Sequence, residues 1–370
     1  MITADMPIRI GKRTAKNRVT MAPTVKFIAG EDGIPTEDFA VHYAERAQHG
    51  CGFICVEATC VAPEGRLAPS QLGLWCDEQI PGHAAIAAGC HAYGALVVPQ
   101  LHFGGLGTHP ACGPLTSPSR VTWETWGKQT EAVELTKEDI RRIVGLFRDA
   151  AVRAKKAGYD GVQLHACHSY LINDFASAVN KREDEYGGSP EGKARFGCEI
   201  IRAVREACGE EFIISARVSG CDPTVEEAAE IAGYYVKAGC DYLQVSSGVA
   251  GLEDVPHDES LPYNKIASLG VRMHERFRGV VPVSLVNGIR TPEQVRYLLE
   301  NDLIDTVDLA CGLLADPAFT EAILEGKPYE KCRSCRGCGF GPIHNHLCPA
   351  MVARGADEFH FRELLSAGKP

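Results

Sequence analysis

Eight short β-rich runs, each followed by a stretch with helical character or a turn-rich connection, set the strongest constraint on how this chain folds. They are "RVTMAP" (18–23), "GFICVEAT" (52–59), "ALVVPQLHF" (95–103), "GVQLHAC" (161–167), "FIISARVSG" (212–220), "YLQVSSG" (242–248), "VPVSLVNG" (281–288) and "TVDLACG" (306–312). Near-continuous apolar runs suit parallel strands buried on both faces. Between them, "TEDFAVHYAERAQHG" starts at Thr36 with apolar residues at helical spacing. "TKEDIRRIVGLFRDAAVRAKKAG" offers Thr136 as an N-cap, Asp139 three residues on, and Gly158 as its stop. "SPEGKARFGCEIIRAVREACG", "TVEEAAEIAGYYVKAG" and "TPEQVRYLLEND" follow the same plan. This alternation predicts an α/β fold, a (β/α)8 TIM barrel. A doubly wound sheet is the rival. No Gly-rich dinucleotide turn follows the first run, and "HFGGLG" (102–107) departs from GxGxxG and follows the third.

The barrel is assigned to residues 1–326 and a cysteine-rich extension to 327–370, too short to fold without a staple. Segment 104–135 is rich in Gly, Pro and Thr and too long for a simple connection. It is expected to form a lid or wall at the active face. The formal charge is −10 and no basic stripe is present, so nucleic acid is not an expected partner. No apolar run approaches the ~18 residues of a membrane helix, and the N-terminus lacks the apolar core of a secretory signal. A cytoplasmic location is the expectation.

Barrel enzymes keep their working residues at the C-terminal ends of the strands. Those ends are polar here: Pro23 and Thr24, Glu57 and Ala58, Gln100 and His102, then His165, His168 and Tyr170, Arg217, and Asn287 with Gly288. A buried Gln and Arg aimed into a barrel mouth need polar partners. A flat heterocycle with donor and acceptor edges supplies them.

The chain resembles the old yellow enzyme family of flavin oxidoreductases, in the branch that includes 2,4-dienoyl-CoA reductase and trimethylamine dehydrogenase. The likeness runs from "PIRIGKRTAKNRVTMAP" through "VEATCVAPEGR", "PQLHFGG", "GVQLHACHSYLINDFASAVNKREDEYGGS", "ARVSG" and "NGIRTPEQV" to "LLADP". The resemblance implies FMN at the barrel mouth. By position, Ala22, Pro23 and Thr24 would line one side of the flavin, Ala58 and Gln100 would meet its pyrimidine edge, and Arg217 would sit beside N1 and O2. The turns at Asn287–Gly288 and Cys311–Gly312 would hold the phosphate. It also implies that His165 and His168 bind a carbonyl or carboxylate oxygen, and that Tyr170 protonates the substrate. His and Tyr both donate while neutral, so such a site works near neutral pH. His257, in the loop after the sixth run, is a weaker candidate for the site.

Three departures stand out. The phosphate-site arginine of the family is replaced by Cys311, which forfeits about 1.5–3 kcal/mol of charge-assisted bonding unless another cation such as Arg290 compensates. A flavin-tuning Thr or Cys falls at Val25, with Thr24 next door. The turn after the third run, which carries Arg and Tyr in related reductases, here carries Gly105 and Leu106. That shifts the expected acid to Tyr170.

Sixteen cysteines are present, and four crowd into "KCRSCRGCGFGPIHNHLCP". The other twelve, from Cys51 to Cys311, read as small core residues. A disulfide knot is out of place in a long intracellular chain. The C-x2-C-x2-C-x9-C spacing is closer to iron–sulfur ligation than to paired zinc knuckles, and zinc with His344 or His346 stays open. The family's iron–sulfur branch places a [4Fe-4S] cluster at this point. That implies Cys332, Cys335, Cys338 and Cys348 as its ligands.

The expected activity is an FMN- and [4Fe-4S]-dependent ene-reductase acting on a small unsaturated substrate. Two alternatives remain: an amine dehydrogenase or demethylase, with Trp123, Trp126 and Tyr263 as a cation cage, and a flavin-free, zinc-stapled binding subunit. The C-terminal FAD/NAD(P) domains of longer relatives are absent from this sequence. Electrons are therefore expected from NAD(P)H directly or from a separate donor protein near the cluster, unless the chain is a fragment. A homo-oligomer is expected.

Overall fold

The structure, a computed structural model, describes residues 1–249, 251–253, 255–335 and 348–353. Eight parallel strands close into a barrel: β1 (Val19–Met21), β2 (Phe53–Cys60), β3 (Leu96–His102), β4 (Gly161–Ala166), β5 (Ile213–Ser219), β6 (Tyr242–Ser246), β7 (Val283–Leu285) and β8 (Thr306–Leu309). Each pairs with its sequence neighbours, and β8 returns to β1. All eight coincide with the runs expected from sequence, and only β2 passes its run's end, by one residue at Cys60. Side chains alternate across the pleat, so register decides which residues share a level in the barrel. Gln100 lies opposite Gln163, and Arg217 lies opposite both His165 and Gln244. Polar side chains from adjacent strands thereby reach the mouth together.

Outside the barrel run α1 (Glu37–Gln48), α2 (Ile80–His91), α3 (Lys137–Lys156), α4 (Pro190–Cys208), α5 (Val225–Ala238), α6 (Lys265–Phe277), α7 (Pro292–Glu300) and α8 (Phe319–Glu325). The start of α3 is the expected capping box: Thr136 accepts from the Asp139 N–H, and Asp139 accepts from the Thr136 N–H. Their apolar faces and the outer strand residues form one continuous core, with Phe39, Phe147, Phe175, Phe196 and Phe319 fully buried. Among the described residues no helix is long and apolar enough to cross a membrane.

Two β features were not drawn from the sequence. A hairpin, Ile8–Ile10 with Arg13–Ala15, closes the lower end by packing Ile8, Ile10 and Ala15 on Phe53, Val98, Ile213 and Tyr242. Segment 104–135, expected as a lid or wall, carries a small sheet of Thr116–Ser117, Val121–Thr125 and Lys128–Glu134. It has its own apolar cluster of Leu106, Leu115 and Ala132, with Trp123 packed on it. A β-bulge in β2 between Val56 and Ala58 takes Glu57 out of register. The Glu57 carboxylate pairs with buried Lys26, and Tyr43 bonds to both. Breaking that buried pair would strand a charge, so it anchors α1 to the barrel.

Candidate active site

The C-terminal ends of the strands enclose a cavity of about 370 Å3. Of the residues expected there, Pro23, Thr24, Gln100, His165, His168, Tyr170, Arg217, Asn287, Gly288 and Cys311 line it. Ala22, Ala58 and Gly312 lie behind its wall. The Ala22 N–H bonds to the Leu309 carbonyl, the Ala58 carbonyl accepts from Gln71, and Gly312 faces Phe319.

On one side stand the residues after β4. His165 ends the strand's inward row, and the chain then turns through His168 and Ser169, both with positive φ (62° and 59°). Such a backbone is uncommon outside glycine and is held by surrounding contacts. Here the Ser169 N–H bonds to Asn173. The turn delivers Tyr170 as the residue before a short helix, Leu171–Ala176. The Tyr170 ring stands edge-on to His165, with centroids 4.6 Å apart. Gly107 of the 104–135 segment lies against that ring; a Cβ there would come within 2.7 Å of it. Burial keeps these groups neutral. The Tyr170 phenol is pushed up to about 12 and the His168 imidazole down to about 3, while His165 falls well below its usual range. For all three, desolvation is the main cause, and Arg217 helps to hold both histidines down.

Across the cavity, Arg217 is 8% exposed and its Nε has no hydrogen-bond partner. Gln100 donates to Gln163 at 2.8 Å and lines the same floor. A buried guanidinium with an unpaired donor calls for an acceptor from a ligand. Asn287 and Gly288 also line the cavity, both with positive φ (89° and 82°). A Cβ on Gly288 would meet Asn264 at 2.8 Å, so the turn needs glycine. Cys311 lines the cavity too, and Nη1 of Arg290 donates to Ser334 Oγ at 2.8 Å. Arg290 is a cation at the same end of the cavity as Cys311. It also tethers the segment between Cys332 and Cys335.

Several lining residues escaped sequence reasoning: Ser246, Ser247, Val286, Ile289, Asp308 and Ala310. Asp308 had a readable signal, a carboxylate within the apolar "TVDLA" run. His257 is not in the lining; its ring faces Tyr263. Trp126 is exposed against His109, and Trp123 packs in the 104–135 segment. The three aromatic residues of the cation cage are therefore not gathered at the cavity. Cys332, Cys335 and Cys348 are half-buried and form no disulfide. Cys338, His344 and His346 lie outside the described residues.

Residues 6–330 match the NADH:flavin oxidoreductase / NADH oxidase family. The chain belongs to that family. It is 37% identical over 356 residues to an NADH oxidase of Thermoanaerobacter brockii, covering 92% of this chain but 54% of that protein. It therefore spans about half the length of that relative. An NADPH dehydrogenase of Listeria welshimeri is 35% identical over 83% of this chain and 90% of its own length. Among solved structures, the old yellow enzyme homologue from Zymomonas mobilis superposes with a TM-score of 0.77 at 28% identity. It covers 90% of this chain and 95% of that one. The barrel is thus that of the flavin oxidoreductases, and the enzyme class follows from family membership.

Proposed function

We propose that this chain is an FMN-dependent, NAD(P)H-consuming ene-reductase, acting on an alkene conjugated to a carbonyl or carboxylate. The observation that carries the reading is one cavity holding two neutral histidines, a neutral tyrosine and a buried arginine with an unpaired donor. The donor set fits FMN. Arg217 and Gln100 would hold its polar ring edge, Pro23 and Thr24 one side, and Arg290 with the Asn287–Gly288 and Cys311–Gly312 turns its phosphate. When bound, FMN supplies hydride from N5 to the alkene β-carbon.

The chain's own residues do the rest. His165 and His168 donate to the substrate oxygen and polarise the double bond as negative charge develops there. Tyr170 delivers its proton to the α-carbon, which completes addition of H2 across the bond. A phenol held near 12 is protonated throughout the working range. Tyr170→Phe is expected to slow alkene turnover by about 100-fold or more, with flavin reduction by NADPH unchanged. Unchanged alkene turnover would remove Tyr170 as the acid.

We also assign Cys332, Cys335, Cys338 and Cys348 to an iron–sulfur site, on their spacing, with the three described members half-buried. It would relay electrons from a donor protein or staple the extension. Iron and acid-labile sulfide, about four each per chain for one cluster, are the expected analysis of anaerobically purified protein. Zinc in their place would contradict it.

A further inference from the structure

His102, at the end of β3, has no role in the chemistry just described, yet it is fully buried against it. Its Nδ1 lies 3.2 Å from Nδ1 of His165. Nε2 of His165 lies 3.3 Å from Nδ1 of His168, and Nε2 of His168 lies 2.8 Å from Oγ of Ser246. The outer nitrogen of His102, Nε2, has no partner. A single file therefore runs His102, His165, His168, Ser246.

Burial holds His102 down to about 3, so it is neutral like the other two. A neutral imidazole has one N–H and one lone pair. An orphaned buried N–H is rarer in proteins than an under-used acceptor. His102 therefore keeps its proton on Nδ1 and donates it to His165. His165 must then accept at Nδ1 and carry its own proton on Nε2, the nitrogen turned toward His168.

The other end of the file differs. The Ser246 hydroxyl rotates and either accepts or donates. With no ligand between the rings, His165 donates to His168 Nδ1, and His168 donates to Ser246. When an oxygen lone pair enters, two inward donors are wanted. Ser246 can then turn to donate, and His168 exchanges its proton through water from Nε2 to Nδ1.

We propose that His102 is a positioning residue that fixes His165 as the Nε2–H tautomer, and that Ser246 is the reversible partner that lets His168 follow. The pair then presents two donors to one carbonyl, carboxylate or phenolate oxygen. This rests on the reading of His165 and His168 as ligand donors.

The test uses the full chain loaded with FMN, isotope-labelled at its imidazole nitrogens, and a para-substituted phenol as the probe. Nuclear magnetic resonance reads the His165 tautomer, and optical titration reads phenolate affinity. Wild type is expected to show a protonated His165 Nε2. His102→Leu should lose the fixed tautomer and bind phenolate about 10-fold more weakly, the scale of lost outer-shell support. His102→Asn, whose amide N–H stands near the Nδ1 position, should restore both. If His102→Leu does not fold, His102→Gln, which moves the donor outward, should show the same losses. A His165 tautomer and an affinity unaltered in whichever of these variants folds would overturn the proposal. Affinity unaltered in His165→Ala would instead sink the reading of the pair as ligand donors, a separable result.

Discussion

Asp308 is a carboxylate set inside an apolar barrel strand. It sits in a four-residue strand, fully buried, and lines the cavity floor. The hydroxyls of Thr20 and Ser284 donate to it. Burial nevertheless lifts its carboxyl to about 6. The folded state therefore holds the proton more tightly than the unfolded chain, whose carboxylate titrates near 4. Stability from this group is full below about pH 4 and is lost as pH rises through about pH 6. The loss is roughly 3 kcal/mol for a two-unit shift. Asp308→Asn should flatten that part of the profile, read by denaturant unfolding at matched flavin loading. Identical profiles in variant and wild type would contradict the assignment. Gln100, His165 and Arg217 were legible in the sequence as polar residues within apolar runs, whereas His168 and Tyr170 follow the fourth run and stood out through the family resemblance. Ser246 and Ser247 were not, because serine in a strand end carries no chemical signal until its neighbours are placed. His102 was visible as polar but not as a partner of His165, since the contact joins residues 63 positions apart.

At the scale of elements, the eight barrel strands were readable because both faces are buried and the runs are nearly continuously apolar. Helices α1, α3, α4, α5 and α7 were readable from caps and stripes. Helix α2, "IPGHAAIAAGCH", is small and apolar nearly all round, so it presents no stripe to the eye. The hairpin at the lower end consists of three-residue strands, shorter than any periodicity can mark. The excursion of residues 104–135 was expected at the active face, and it meets the cavity wall where Gly107 lies against Tyr170. Its internal sheet was hidden because the alternation in "VTWET" and "KQTEAVE" is half polar on both faces. That excursion and the turn through His168 form two walls around one phenol, and the absence of a Cβ at Gly107 lets them close.

Over the whole molecule, the barrel gathers at one mouth residues from most of its strands, and the family match explains why that mouth suits a flavin. Arg290 links the mouth to the cysteine segment through Ser334, so cavity and extension share a hydrogen bond. Relatives of similar length and a longer NADH oxidase both align to this barrel, which makes it the unit common to them. The most direct measurement is an anaerobic absorption titration of the FMN-loaded chain. NADPH is added first, and then an unsaturated cyclic ketone such as cyclohexenone. Bleaching of the flavin by NADPH, followed by recovery of the oxidised spectrum with one equivalent of saturated ketone formed, is the expected result. A protein that takes up no FMN, or a bleached flavin that the ketone leaves bleached, would contradict the ene-reductase reading.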